Sequence, residues 1–422
     1  MNYPDSVRFL YALGNEVKTA KLGLERIGVL LEALGNPQQA FRIVHVAGTN
    51  GKGSTCATIE SGLRAAGWRT GLFTSPHLVE PTERIQVAGR PVEAERFTAA
   101  FDQVHACAET LLREGRIDLH PTYFETATAM AMVVFRDSGV EFAVLEVGLG
   151  GRLDATNVVK PELCVVTPVD FDHEAYLGKS LESIAGEKAG ILKPGVPAVF
   201  ARQRAEAGQV LDARAAALGI AVTHSSEVPI SEVKLHARGC DFRWGELAVS
   251  CPLAGEHQVE NARTAIAALG LLGISPEAIQ RGIAQTRWPG RLERVAESPE
   301  IILDGAHNPA SARALAGYLD CFYEPQRVWL IYGAMRDKAV EEIAAILFPR
   351  AAHVIVTAPA QARALRPESI RGLADHESVQ VAADIRGALA LAGSAAPGDA
   401  IFVTGSLFLV GEARAILVRR QE

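Results

Sequence analysis

Residues 44–55 read Val44-His45-Val46-Ala47-Gly48-Thr49-Asn50-Gly51-Lys52-Gly53-Ser54-Thr55, and no other stretch limits the fold so tightly. A β-branched apolar run enters a glycine-rich turn that carries one lysine and ends in hydroxyls. Beyond it, Ile59, Leu63 and Ala66 recur at the spacing of one buried helix face. A strand, a glycine loop and a helix N-terminus together cradle a polyphosphate: backbone N–H groups point at the oxygens, the helix dipole favours the anion, and the lysine adds a full charge. The match to the G-x-x-x-x-G-K-[ST] pattern is imperfect. Val46 stands where the first glycine belongs, and Gly53 separates Lys52 from Ser54. An ordinary glycine turn would need neither the lysine nor the hydroxyls, so nucleotide phosphate binding is the expectation.

A chain of 422 residues exceeds what one hydrophobic core organises, and two domains are expected. With 48% apolar and 22% charged residues it has the composition of a soluble globular protein. The net charge of -7 argues against a general nucleic-acid binder, which needs a basic face. No run of 18 apolar residues occurs, and the start, MNYPDSVRFL, lacks a signal pattern. Six cysteines, scattered without a C-x-x-C pair, read as isolated thiols in a reducing compartment, with no zinc site or disulfide frame among them. The cytoplasm is the expected location.

From the glycine loop to about residue 200, strand-like runs at 42–47, 70–74, 142–147, 163–169 and 196–200 alternate with helical stretches, the pattern of a parallel sheet covered on both faces. Residues 220–252 alternate in shorter segments and read as a small antiparallel sheet, followed by a helix over 258–272. The Pro289-Gly290 pair then breaks regular structure. Strand–helix alternation resumes at Ile301–Asp304, Val328–Tyr332, His353–Thr357, Val379–Ala382 and Ala400–Thr404. The expected architecture is therefore α/β in two parts. A P-loop parallel-sheet domain carrying the small antiparallel sheet spans 1–290, and a smaller Rossmann-like α/β domain spans 291–422.

Ligands of parallel α/β sheets sit beyond the carboxyl ends of the strands, so polar residues there are the candidates. Glu146 ends the apolar run 142–146, where an ionised carboxylate is costly unless a cation or donors meet it. A metal ion at the phosphate loop would meet it; pairing with Arg152 or another base is the structural alternative. Gly148-Leu149-Gly150 is no dinucleotide fingerprint, because Leu153 fills the third glycine position. The run 163–169 leads into Asp170, Asp172 and His173, and on these residues alone His173 reads as a structural histidine. Lys188 sits between Gly186 and Gly190 just after a helical stretch and alone reads as a solvated surface lysine. Residues 73–78 end a strand in hydroxyls and a Pro-fixed bend, either a simple turn or a substrate loop. Asp304 ends the strand 301–304, with Asn308 as N-cap and Pro309 at the first position of the next helix.

Taken together, GTNGKGS (48–54), TSPHL (74–78), ERI (83–85), TYFE (122–125), EVGLGGRLDATN (146–157), DHEAYLG (172–178), EKAGI (187–191), PGR (289–291), DGAHNP (304–309) and GSLFLVGE (405–412) resemble the folylpolyglutamate synthase and dihydrofolate synthase family, within the Mur ligase superfamily. The resemblance runs in order from residue 21 to residue 412. It implies that a substrate carboxylate attacks the γ-phosphate of ATP, and that L-glutamate then attacks the acyl phosphate to give an amide. Gly51, Lys52, Gly53 and Ser54 would hold the phosphates, with Lys52 at the β/γ end. Ser75, Glu146 and His173 would hold magnesium, with two ions expected, and Lys188 matches the lysine that the family carries as a carbamate. Lys52, Lys188 and His173 are thus the implied catalytic residues, and Asn261, Arg291 and Asp304 match nucleotide contacts, the last two from the hinge and the C-terminal domain. Lys21, Leu22, Gly23 and Leu24, with Thr122, Tyr123, Phe124 and Glu125 and with Leu153, Asp154 and Ala155, match the pterin-substrate region.

TYFE and LDA resemble the bifunctional bacterial members, so glutamate addition to dihydropteroate and to reduced folates are both expected. The first alternative is a synthase that only lengthens the glutamate tail. A peptidoglycan-precursor ligase is less favoured: those usually carry a domain of about a hundred residues before the loop, whereas 47 residues precede Gly48. Their loop also tends to read GKT. A nucleotide-operated switch would not need Glu146, His173 and Lys188 together. The partners expected are small molecules alone, with no nucleic acid and no membrane, acting on a monomer.

Overall fold

The computed structural model describes residues 1–14, 23–373 and 376–418. Lys21 and Leu22 therefore lie outside the described residues. Contacts divide the chain into two units: 1–170 with 174–229 and 260–285, and 171–173 with 230–259 and 286–422.

The first unit is built on an eight-stranded sheet of β1 (Arg42–Ala47), β2 (Thr70–Phe73), β3 (Ile85–Val87), β4 (Arg90–Pro91), β5 (Phe142–Glu146), β6 (Leu163–Val166), β7 (Ala198–Phe200) and β8 (Val222–His224). Its order is β4-β3-β2-β5-β1-β6-β7-β8. All neighbours are parallel except the pairs that β3 makes with β2 and β4. β1 lies between β5 and β6, and five of its six residues are buried, as a strand covered on both faces requires. The helix Tyr123–Asp137 supplies much of the core. Met130, Met132 and Phe135 are fully enclosed, and burying each such side chain contributes about 2 kcal/mol. Leu10, Ile27, Phe73, Phe101 and Phe124 join the same cluster.

The second unit holds a six-stranded sheet of order β12-β13-β17-β14-β15-β16, from β12 (Glu293–Glu297), β13 (Glu300–Leu303), β14 (Val328–Tyr332), β15 (His353–Val356), β16 (Val379–Val381) and β17 (Ala400–Thr404). Only β12 runs antiparallel within it. The antiparallel three-stranded sheet β9 (Ile230–His236), β10 (Gly239–Trp244) and β11 (Leu247–Cys251) groups with this unit.

Two local readings change. Residues 222–224 are not part of the antiparallel sheet but the parallel edge of the large one, paired with β7. Lys188 does not follow a helix; it lies inside the helix Leu181–Ala189 and is 4% exposed, so the solvated-lysine reading is wrong.

Candidate active site

The loop after β1 holds its shape through backbone geometry that only glycine accepts cheaply. Gly48 has φ +148° and Gly51 φ +82°. Gly51 is the residue that starts the helix Lys52–Ala65, so the amides of Lys52, Gly53 and Ser54 open that helix's first turn. Neighbouring elements pin the loop. The N–H groups of Thr49 and Asn50 donate to Pro168 O at 3.0 and 3.2 Å. The Thr49 hydroxyl donates to Asp170 O at 3.0 Å, and Lys52 Nζ donates to Thr49 O at 3.2 Å. Lys188 Nζ reaches the loop from the other side and donates to Gly48 O at 2.8 Å. Asn261 closes on Gly51 so tightly that a Cβ there would stand 2.2 Å from its Oδ1.

Glu146 ends β5, the strand hydrogen-bonded to β1 on one side and β2 on the other. It is 5% exposed, and its Oε2 accepts the Ser75 N–H at 3.1 Å. Arg152 pairs instead with Glu187 at 2.8 Å, so it is not the partner of Glu146. The charges of Glu146 and Lys52 both bear on Cys56, whose thiol burial pushes far up. A buried carboxylate beside a serine is the oxygen-donor chemistry that magnesium prefers, and these two residues fit such an ion. His173 is exposed, has φ +52° and groups with the second unit, whereas Ser75 and Glu146 lie in the first.

The TYFE segment opens a helix. Thr122 is its N-cap, accepting the Glu125 N–H at 3.3 Å, while Glu125 accepts the Thr122 N–H at 2.8 Å. Arg26 completes Glu125 with a charged contact at 2.8 Å. Tyr123 stacks on Tyr11 at 5.8 Å and lies under the Arg84 guanidinium at 4.8 Å. His77 joins this group, taking Arg84 Nε at 2.9 Å on Nδ1 and lying 3.0 Å from the Tyr11 hydroxyl on Nε2. The result is a polar and aromatic wall suited to a flat heterocycle. Phe124 packs on Phe73 and against Gly148, where an added Cβ would stand 2.5 Å from its ring. Asp154 is buried, and burial raises its carboxyl, while the N–H groups of Gly148, Leu149 and Thr156 and the Thr156 hydroxyl donate to it. It shapes the 148–156 loop, next to half-buried Leu153 and buried Ala155. Gly23 and Leu24 lead into the helix Glu25–Ala33 that carries Arg26.

In the second unit, Asp304 directly follows β13, which stops at Leu303, one residue before the strand end expected at 304, and is 7% exposed. Its two oxygens accept the N–H groups of Leu292 and Ala306, each at 3.0 Å. Arg291 lies against Gly305, where a Cβ would be 2.5 Å from its Nη1. Asn308 caps the helix Pro309–Phe322 and also donates to Asp172 at 3.3 Å. Asp172 further receives Lys338 Nζ at 2.6 Å and lies 3.5 Å from His307 Nε2. Burial alone would raise the Asp172 carboxyl, but the His307 hydrogen bond and the charges of His307, Lys338 and His173 outweigh it and hold it well below the ordinary range.

Residues 46–269 match the Mur ligase middle domain, and residues 290–407 match the Mur ligase glutamate ligase domain. The dihydrofolate synthase/folylpolyglutamate synthase of Bacillus subtilis is 40% identical over 338 residues, covering 76% of this chain and 78% of the relative. The chain belongs to the folylpolyglutamate and dihydrofolate synthase family of Mur ligases. Among solved structures, Mycobacterium tuberculosis folylpolyglutamate synthase complexed with ADP and AMPPCP superposes with a TM-score of 0.91 at 32% identity, covering 99% of both chains. Escherichia coli FolC in complex with DHPP and ADP gives 0.87 at 33% identity, over 99% of this chain and 98% of that one.

Within this Mur ligase framework, the first unit brings together Gly51 to Ser54, Lys188 and Asn261, and separately gathers Thr122 to Glu125 with residues no motif singled out. Arg26 and Tyr11 are of that kind, and in the second unit so is Lys338, on Asp172. The TYFE motif hinted at Arg26, since a buried Glu125 needs a cation beyond its capping role. Nothing local marks Lys338, whose partner Asp172 lies 166 residues away.

Proposed function

We propose that the protein is an ATP-dependent ligase that adds L-glutamate to dihydropteroate, making dihydrofolate, and to the γ-carboxyl of reduced folates. The observation that carries this reading is the convergence of Lys52, Lys188 and Asn261 on one glycine loop at the carboxyl end of β1. The relatives named for both activities, and those complexed with ADP, AMPPCP or DHPP, support the same substrates here.

The reaction runs in two displacements. A carboxylate oxygen of the folate precursor attacks the γ-phosphorus of ATP, and ADP departs from the new acyl phosphate. The glutamate amine then attacks the acyl carbon, inorganic phosphate leaves with the bonding pair, and the amine loses a proton. The backbone N–H groups of Gly51, Lys52, Gly53 and Ser54 orient the polyphosphate, and the Lys52 ammonium offsets charge building on the transferred group. Asn261, Arg291 and Asp304 contact the nucleotide. Ser75, Glu146 and His173 would hold Mg²⁺, one of two ions, which when bound supplies neutralising charge at the phosphates. Lys188, if carbamylated, would offer an anionic oxygen pair to the second ion and keep one N–H for the Gly48 carbonyl. Gly23, Leu24, Thr122, Tyr123, Phe124, Glu125, Leu153, Asp154 and Ala155, with Lys21 and Leu22, form the pterin region. The protein acts on these small molecules as a monomer in the cytoplasm; among the described residues no helix is long and apolar enough to cross a membrane.

The deciding experiment measures phosphate release with ATP, magnesium and L-glutamate, offering dihydropteroate or tetrahydrofolate and weighing the products by mass. Glutamate added to both establishes the two activities. Addition to tetrahydrofolate alone leaves a tail-lengthening synthase, and addition to neither returns the peptidoglycan-precursor ligases.

A further inference from the structure

We propose that His105, Glu109 and His120 form a binding site for one divalent transition-metal ion of the zinc class, separate from the phosphate loop. His105 and Glu109 are four residues apart in the helix Ala94–Arg113, which puts both side chains on one face. His120 comes from the segment that follows. One ligand atom from each of the three lies within 4.8 Å of the other two.

The spacing suits a metal. His105 Nδ1 and His120 Nε2 are 3.3 Å apart. Two nitrogens each about 2.0–2.1 Å from a tetrahedral zinc stand about 3.3–3.4 Å from one another. Glu109 Oε1 is 3.9 Å from His120 Nε2, and its side chain is 52% exposed, so a small swing brings it into range. The far nitrogen of His120 is also arranged as a ligand's should be. Its Nδ1 lies 2.9 Å from the Pro121 carbonyl oxygen, which fixes the proton there and leaves Nε2 as a lone pair aimed at His105. The His105 ring is oriented by packing: it stacks on Phe101 with centroids 5.5 Å apart and meets Phe9 at 4.5 Å. Three protein ligands leave a fourth position for water.

Nitrogen donors separate this site from the oxygen-rich surroundings of Glu146 and select zinc, cobalt, nickel or copper over magnesium. The ion would join three pieces of chain: the helix Ala94–Arg113, the segment ending at Pro121, and, through Phe9 against both imidazoles, the helix Tyr3–Ala12. Pro121 directly precedes the Thr122 cap and Tyr123, and Tyr11 stacks on Tyr123. Metal binding would therefore stiffen one wall of the proposed pterin region without entering it.

The test uses the full-length protein, freed of transition metals by chelation and held in excess Mg²⁺. Titration with Zn²⁺ by calorimetry, and with Co²⁺ by visible absorbance, should give one ion per chain and the intense bands of tetrahedral cobalt. His120→Ala and Glu109→Gln should each weaken Zn²⁺ binding by about tenfold or more. Glu109 is exposed, so Glu109→Gln keeps the fold and decides the matter if His120→Ala does not express. Zn²⁺ should also raise the melting temperature of the unaltered protein and leave that of Glu109→Gln much less changed. Equal Zn²⁺ affinity in the parent and both variants, or no cobalt bands, would overturn the proposal.

Discussion

Lys188 donates to the backbone carbonyl of Gly48 at 2.8 Å and so joins the helix Leu181–Ala189 to the phosphate loop across 140 residues of sequence. A lysine 4% exposed needs such a partner, because burying an unpaired ammonium is costly. Lys188→Ala should lower turnover at least about tenfold, since both the tie and the proposed carbamate go. If a carbamate acts there, short carboxylic acids such as acetate should restore part of the rate. Initial rates with and without acetate check this, and a fully active Lys188→Ala without acid would refute the carbamate.

Lys52→Ala removes the only side-chain cation that the loop itself carries. Loss of one preorganised charge-stabilising group typically costs about 10²–10³ in rate. The half-buried ammonium donates to the backbone oxygen of Thr49, a neighbour within the same loop, so the melting temperature should hardly move. Ligation near the parent rate would remove Lys52 from its proposed role.

Gly51→Ala should damage the site through shape alone. At φ +82° an L side chain costs about 1–2 kcal/mol, and the new Cβ would stand 2.2 Å from Asn261 Oδ1. Nucleotide affinity should fall at least about tenfold, with a drop of a few degrees in melting temperature. Gly270→Ala, in the helix that carries Asn261 but with nothing within 4 Å of the added carbon, is the control. It should be stabilising by about 0.5–1 kcal/mol. Equal nucleotide affinity in both variants would contradict the close approach of Asn261.

Much of this was legible because the central strands are apolar on both faces. β1, β14 and β17 lie at the expected residues, and β5 and β15 stop one residue earlier, at Glu146 and Val356. Edges were harder. β3 and β4 are a hairpin of three and two residues, and β12 reads Glu-Arg-Val-Ala-Glu, with little apolar signal to mark either. Asn308 and Pro309 were readable as a helix start because capping is local chemistry. Lys188 was misread because glycine at 186 and 190 suggested a loop, whereas helix packing around Ile184 and Ala185 decided the conformation. The cluster on Asp172 was invisible, since Lys338 and His307 reach it only through the fold.

Asp172 and Lys338 are each 10% exposed and 2.6 Å apart. Lys338→Met leaves the carboxylate, among the described residues, with its histidine and asparagine neighbours, and breaking a buried pair typically costs about 3–5 kcal/mol. The double variant Asp172→Asn, Lys338→Met should lose less than the sum of the two single changes. A double-variant cycle on urea unfolding of the second unit's transition measures it, and strict additivity would mean that the pair is not coupled.

Stability should fall in mild acid, and two histidines of the first unit give the sign. His45 is fully buried, with Nε2 2.8 Å from Thr156 Oγ1. Burial, helped by the charge of Lys193, lowers its pKa to about 3. His77 is lowered to about 3 as well, by burial and then by Arg84. In the unfolded chain both titrate near about 6.5. Between pH 6.5 and 3 the unfolded state therefore binds more protons than the folded one, so stability is full above the unfolded value and is lost as pH falls through that window. Each histidine contributes a slope of up to about 1.4 kcal/mol per pH unit there. His45→Gln keeps a donor for Thr156 but cannot titrate. Its urea midpoint should lie below that of the parent at pH 7 and converge on it by pH 5, as the parent loses its histidine contribution. Midpoints measured at pH 7, 6 and 5 that run parallel for the two proteins would show that His45 is not held neutral by the fold.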